Sequence, residues 1–169
     1  TEEADVVNTG ALPDSFTFYA LGGDDIVTTG SGGDTIYGEA GDDTINSGSG
    51  NDFVYGGDNV DTITDTYGVA TIEGGAGDDV ITGTGYGTAT INGGSDHDTI
   101  TLRYMSNNIV DGGSGEDTIT TPANTSSRYY TNTFTGGTGN DLLTGGYGTD
   151  TYIFNLGDDQ DTITDNGSN

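Results

Sequence analysis

An aspartate returns about every eighteen residues along this chain, at positions 25, 43, 61, 79, 98, 117, 141 and 161, with an aliphatic residue two places after each. The surrounding blocks read Gly38-Glu-Ala-Gly-Asp-Asp-Thr-Ile-Asn46, Gly74-Gly-Ala-Gly-Asp-Asp-Val-Ile-Thr82 and Gly112-Gly-Ser-Gly-Glu-Asp-Thr-Ile-Thr120. A unit of nine residues is too short to bury an apolar face of its own, so it gains a core only by stacking on its neighbours. Its last three residues suit a short strand, with a β-branched residue pointing in and its neighbours pointing out. The Gly-rich residues before them supply the turn. No sustained 3.6-residue apolar period occurs and Gly interrupts every window, so no helix is expected.

In register, units run from residue 11 to 164, with inward positions Phe18, Val27, Ile36, Ile45, Val54, Ile63, Ile72, Ile81, Ile91, Ile100, Val110, Ile119, Phe134, Leu143, Tyr152 and Ile163. The choice between Ile109 and Val110 is open by one residue. Two units make one coil, so alternate units fall on opposite edges, and about eight coils at ~4.8 Å give a rod roughly 35–40 Å long. One domain fills residues 1–169, with caps at about 1–19 and 154–169. Lys and Arg number 2 against 28 Asp and Glu, a formal charge of −26, and 30% of residues are hydrophobic. Such a chain stays disordered unless something offsets its repulsion. The acids nevertheless sit at fixed phase, which argues against a solvated acidic tail. Cysteine is absent, excluding disulfides and thiolate metal sites. No apolar run is long enough to span a membrane. No signal peptide is visible, and a chain opening at Thr1 is consistent with a piece of a larger protein. Two basic residues cannot neutralise many phosphates, which disfavours nucleic acid as a partner.

The blocks match the pattern G-G-x-G-x-D-x-U-x, and the chain resembles the RTX (repeat-in-toxin) family of haemolysin-type calcium-binding repeats. The resemblance implies an all-β, right-handed parallel β-roll of about eight coils with two short strands per coil. Stacked carboxylates ~5 Å apart repel by roughly 0.8 kcal/mol per pair in water and ~3 kcal/mol at an effective dielectric of 20. Cations must therefore lie between them. Hard oxygen donors point to Ca²⁺, while Mg²⁺ fits worse because it demands strict octahedral geometry. By the resemblance, each ion sits between same-edge loops of successive coils, held by the repeat Asp and loop carbonyls. One edge carries Asp25, Asp43, Asp61, Asp79, Asp98, Asp117, Asp141 and Asp161, about seven gaps; the other carries only Asp34, Asp52 and Asp150, with one clear gap between the first two. About eight calcium ions follow. Asp96 replaces a loop Gly, and Leu156-Gly-Asp-Asp-Gln-Asp161 departs further from the pattern.

The second edge replaces its missing Asp residues with longer loops that gather Tyr67, Tyr86, Arg103, Tyr104, Met105, Arg128, Tyr129 and Tyr130, including both basic residues of the chain. These form a candidate patch for a glycan or protein ligand, set against the alternative that tyrosines pack loops lacking calcium. Tyr19, Tyr37 and Tyr55 predict an outward ladder that stabilises a sheet, with sugar stacking as the alternative. Thr28, Thr64, Thr82, Thr101, Thr120, Thr144 and Thr164 form an outer row resembling the faces of ice-binding solenoids, although Thr is also simply a good strand residue. His97 has no nucleophile partner by motif and reads as a solvent-facing loop residue, so no catalysis is expected. The reading is a secreted or cell-surface calcium-dependent folding module, exported unfolded by one-step (type I) secretion as the resemblance implies, and of adhesin type. The alternatives are a carbohydrate-binding module of a polysaccharide-active enzyme, the C-terminal repeat block of a secreted protease, lipase or toxin, and an ice-binding solenoid.

Overall fold

The computed structural model describes residues 3–10, 12–83, 87–103, 107–121 and 130–166. Every turn of the chain delivers an apolar side chain inward from each of its two faces and returns parallel to the turn before. The strands open with β1 (Val6–Asn8), β2 (Thr17–Gly22), β3 (Ile26–Thr28) and β4 (Thr35–Ala40), followed by two long strands, β5 (Thr44–Asp58) and β6 (Thr62–Ala76). Then come β7 (Val80–Gly83), β8 (Ala89–Ser95), β9 (Thr99–Leu102), β10 (Ile109–Ser114) and β11 (Thr118–Thr120). β12 (Thr133–Thr138), β13 (Leu142–Gly145), β14 (Thr151–Ile153) and β15 (Thr162–Asp165) complete the described set. All pairings between these strands are parallel. One face stacks β1, β3, the start of β5, the start of β6, β7, β9, β11, β13 and β15. The other stacks β2, β4, the ends of β5 and β6, then β8, β10, β12 and β14. This is a β-solenoid of about eight turns.

The register places like on like. Ile45 lies beside Ile63, Ile63 beside Ile81, Ile81 beside Ile100 and Ile100 beside Ile119, and on the opposite face Val54, Ile72, Ile91 and Val110 follow one another. These residues are buried, with Phe18 and Tyr152 half-buried towards the two ends. Val110 is inward and Ile109 exposed, which closes the one-residue ambiguity. Ala20, Ala70, Ala89 and Leu102 join the core from turn positions. Leu102 does so as the fourth residue of β9.

Two features depart from expectation. The first nineteen residues, read as a cap, contain a full rung: Val6, Val7 and Asn8 pair with Ile26, Val27 and Thr28. Many strands are also longer than three residues. β5 and β6 run fifteen residues each through the second edge, pairing with register shifts around Ser47. Elsewhere turns rely on left-handed backbone. Asp96 and Asn59 occupy it at φ 81° and 82° without being glycine, a conformation that Asp and Asn tolerate better than most residues. The loop Asp96 thus keeps the geometry its sequence put in question.

Outside the sheet, the rings of Tyr19 and Tyr37 stack at 4.9 Å with 5° between planes, and Tyr55 follows Tyr37 in register. Thr64, Thr82, Thr101, Thr120, Thr144 and Thr164 form an unbroken row on the opposite face. Because each interior aliphatic touches its counterparts above and below, Ile63→Ala is expected to cost about 2–5 kcal/mol. Ile163→Ala, at a position 39% exposed, should cost well under that. Denaturant unfolding at saturating calcium checks the difference.

Candidate metal centre

The repeat aspartates turn inward at the loop, where each does two things. One oxygen satisfies backbone. Asp43 Oδ1 accepts from the Asp25 N–H at 2.8 Å, Asp61 from Asp43 at 2.8 Å, Asp79 from Asp61 at 2.8 Å and Asp98 from Asp79 at 2.9 Å. Asp117, Asp141 and Asp161 continue the ladder at 2.8, 2.8 and 3.1 Å. At its start, Asp25 accepts from the N–H of Asp5 in the unforeseen rung. The second edge begins the same way, with Asp34 accepting from Phe16 and Asp52 from Asp34, both at 2.8 Å.

The other oxygen is left over. Oδ2 of Asp25, Asp34, Asp43, Asp52, Asp61, Asp79, Asp98, Asp117, Asp141 and Asp150 is sealed from solvent and has no hydrogen-bond partner. A buried carboxylate oxygen without a donor is costly enough that proteins rarely keep one, and here the defect recurs on ten aspartates. Of the eleven aspartates singled out by sequence, only Asp161, in the departing terminal loop, lacks this signature. The surrounding oxygens complete a cradle. A methyl group built on Gly56 would strike Asp61 Oδ2 and the Gly74 carbonyl oxygen; one on Gly74 would strike Asp79 Oδ2 and the Gly93 carbonyl. Gly93 and Gly112 repeat the arrangement with Asp98 and Asp117. A carboxylate from one coil and a carbonyl from the next therefore crowd the same small space. Among the described residues no three His, Cys, Asp or Glu converge, so each ion must draw most of its ligands from backbone carbonyls and water. Six to eight hard oxygens in flexible geometry is what Ca²⁺ takes.

The electrostatics agree. Burial, opposed by the ladder N–H, pushes the carboxyls of Asp61 and Asp98 up to about 7 and those of Asp52, Asp79 and Asp117 up to about 6. Burial likewise raises Asp43, Asp141 and Asp150. Neighbouring carboxylates add to several of these shifts, as Asp79 and Asp43 do for Asp61.

The second edge changes its chemistry partway along. Ala70 and Ala89 stand where the ladder requires Asp, and then two asparagines that sequence reading passed over resume it. Asn108 Oδ1 accepts from the Ala89 N–H at 2.8 Å and Asn132 Oδ1 from Asn108 at 3.1 Å. Their amide nitrogens donate onward, Asn108 to Asn132 Oδ1 at 3.1 Å and Asn132 to Asp150 Oδ1 at 3.0 Å. An amide N–H here makes the bridge without an ion. The signal was present in Asn108-Ile-Val110 and Asn132-Thr-Phe134, which copy the Asp-x-aliphatic spacing. At the last rung, the buried Tyr152 hydroxyl shares the space of Asp150 Oδ2 beside Gly145.

A second ladder runs along the first edge on its outer side. Asp24 accepts from the Asp42 N–H at 3.1 Å, Asp42 from Val60 at 3.2 Å and Asp78 from His97 at 2.9 Å. His97 Nδ1 accepts from Glu116 at 2.8 Å and Asn140 Oδ1 from Gln160 at 3.0 Å. His97 is exposed, as expected, and its Nδ1 takes the place of a carboxylate oxygen as acceptor.

Of the proposed ligand patch, Tyr67 and Arg103 are exposed and Tyr130 is half-buried. Tyr86, Tyr104, Met105, Arg128 and Tyr129 lie outside the described residues.

Against known proteins, the family model for the RTX calcium-binding nonapeptide repeat matches residues 19–54, 28–63, 55–85, 106–121 and 128–168. No curated protein and no solved structure matches.

Two outcomes follow from this geometry. Gly56→Ala intrudes on the cradle and should raise the calcium needed for folding about tenfold or more, whereas Gly83→Ala, which meets only Leu102 Cδ2 at 3.5 Å, should not; calcium titrations of both variants compare them. Carboxyls raised above their unfolded value near 4 bind protons preferentially in the folded state. In calcium-free buffer the fold should therefore lose stability as pH rises from about 4 through 7 and regain it on acidification. With calcium present, protons compete and the midpoint should move to higher calcium at pH 5.5 than at pH 7.5. Circular dichroism across pH reads both.

Proposed function

Because the chain belongs to the family of RTX calcium-binding nonapeptide repeats, we propose that it is a calcium-dependent folding and spacing module of a secreted or cell-surface protein, of adhesin type and without catalysis of its own. The observation that carries this reading is the row of buried, partnerless Oδ2 atoms. A chain of formal charge −26 cannot hold those carboxylates together unaided, so binding supplies the cohesion and folding follows the ion. About eight ions would bring the charge to about −10. Coupling of this kind suits a protein exported unfolded from a compartment poor in calcium and folded outside, where calcium reaches ~10⁻⁴–10⁻³ M. A rigid rod whose length grows by one coil at a time also suits a spacer. The exposed Tyr67 and Arg103 offer a contact surface for a glycan or protein.

In calcium-free buffer at neutral pH, far-ultraviolet circular dichroism should show a disordered chain with a large hydrodynamic radius. Calcium in the extracellular range should convert it cooperatively to a compact β-rich form. A β-rich spectrum that calcium removal leaves unchanged would sink this reading.

A further inference from the structure

We propose that the second edge holds one more calcium ion than its Asp ladder provides, between the coils of Asp52 and Asp65, with Asp65 supplying the carboxylate missing at Ala70. The argument begins with how a unit is built. In the regular loops the first residue is Gly and the sixth is Asp, and the two face each other closely enough that a methyl on Gly56 or Gly74 would strike Oδ2 of Asp61 or Asp79. First and sixth positions thus share one space at the turn. In the unit that opens at Asp65 the residues are exchanged, carboxylate first and methyl sixth, and both Asp65 and Ala70 are buried. The register sets this unit directly on that of Asp52: Gly48 pairs with Asp65 and Asp52 with Ala70. The carboxylate has crossed the turn rather than disappeared.

Asp52 supplies the second, independent observation. It is 3% exposed. Its Oδ1 accepts from the Asp34 N–H at 2.8 Å, while Oδ2 is sealed and partnerless. Ser47, fully buried one coil below Asp65, donates from Oγ to Asp65 Oδ1 at 3.1 Å and lies within reach of Asp52 as well. Two buried carboxylates therefore flank one hydroxyl. A divalent cation taking Asp52 Oδ2 and the Asp65 carboxylate would neutralise the pair with oxygen donors alone, the chemistry of calcium. Beyond this rung Ala89, Asn108 and Asn132 leave no such carboxylate, so the ion would be the last on this edge before the asparagine bridges take over.

The inference rests on the calcium-module reading but fails separately from it. Native mass spectrometry of the full chain at saturating calcium counts bound ions. Asp65→Asn, which keeps an acceptor for Ser47, should bind one ion fewer than the parent. The double variant Asp65→Gly with Ala70→Asp restores the regular loop and should bind the same number as the parent. If the parent site holds no ion, the double variant instead gains one, and that result, or an unchanged count in Asp65→Asn, overturns the proposal. Should Asp65→Asn fail to fold, the double variant decides alone. A parent chain that binds no calcium would overturn both readings.

Discussion

Everything in this molecule depends on a carboxylate divided between two tasks. Oδ1 of each ladder aspartate holds the backbone of the preceding coil, and on every one but Asp161 Oδ2 is sealed from solvent without a hydrogen-bond partner. The first task ties each coil to the one before it, and the second leaves a buried charge that a bound cation, or a proton at low pH, would offset. A hydrogen bond of this type contributes on the order of 1–3 kcal/mol when its acceptor is charged. The same burial that strengthens it penalises the charge. Ion and hydrogen bond are therefore not two contributions to add up.

The aliphatic column has a subordinate role. It is one side chain wide on each face, and the residues that fill it are nearly identical, so packing alone discriminates poorly between correct stacking and a slip of one coil. The turns correct this. Along the first edge, each loop from Asp25 to Asp141 meets the next coil's own Asp in step. Where a loop carries Asn108 or Asn132, the amide pairs only with an oxygen at the same height. Register is set at the edges and filled in by the core.

Much of this was legible because one residue type marks each structural role. Asp followed two places later by Ile or Val located nearly the whole inward column, and the orphaned Oδ2 atoms fall on ten of the eleven aspartates so identified. What escaped did so for physical reasons. β1 lacks the Gly-rich half of its unit and keeps only Asp5-Val-Val-Asn8, so a pattern dominated by glycine passes over it. The asparagines preserve the geometry of the ladder while changing its charge, and a search for metal ligands looks for charge. The outer ladder mixes Asp, His and Asn as acceptors, since any side chain of suitable reach can receive the N–H; hydrogen-bond geometry shows it where residue identity cannot. Asp65 illustrates the converse, a buried acid outside the expected position.

The two ladders of the first edge point in opposite directions. Inner carboxylates accept from the coil before, and outer side chains accept from the coil after. The stack consequently has a polarity, and shortening it from its two ends is chemically unequal. A cut that removes N-terminal coils strands inner Oδ1 atoms, which water can readily solvate. A cut that removes C-terminal coils strands inner N–H groups set back in the turn, where solvation is poorer and an unmade bond costs more. Repeats of one sequence are thus not interchangeable bricks: each coil closes the one before it, and the array has a leading and a trailing end.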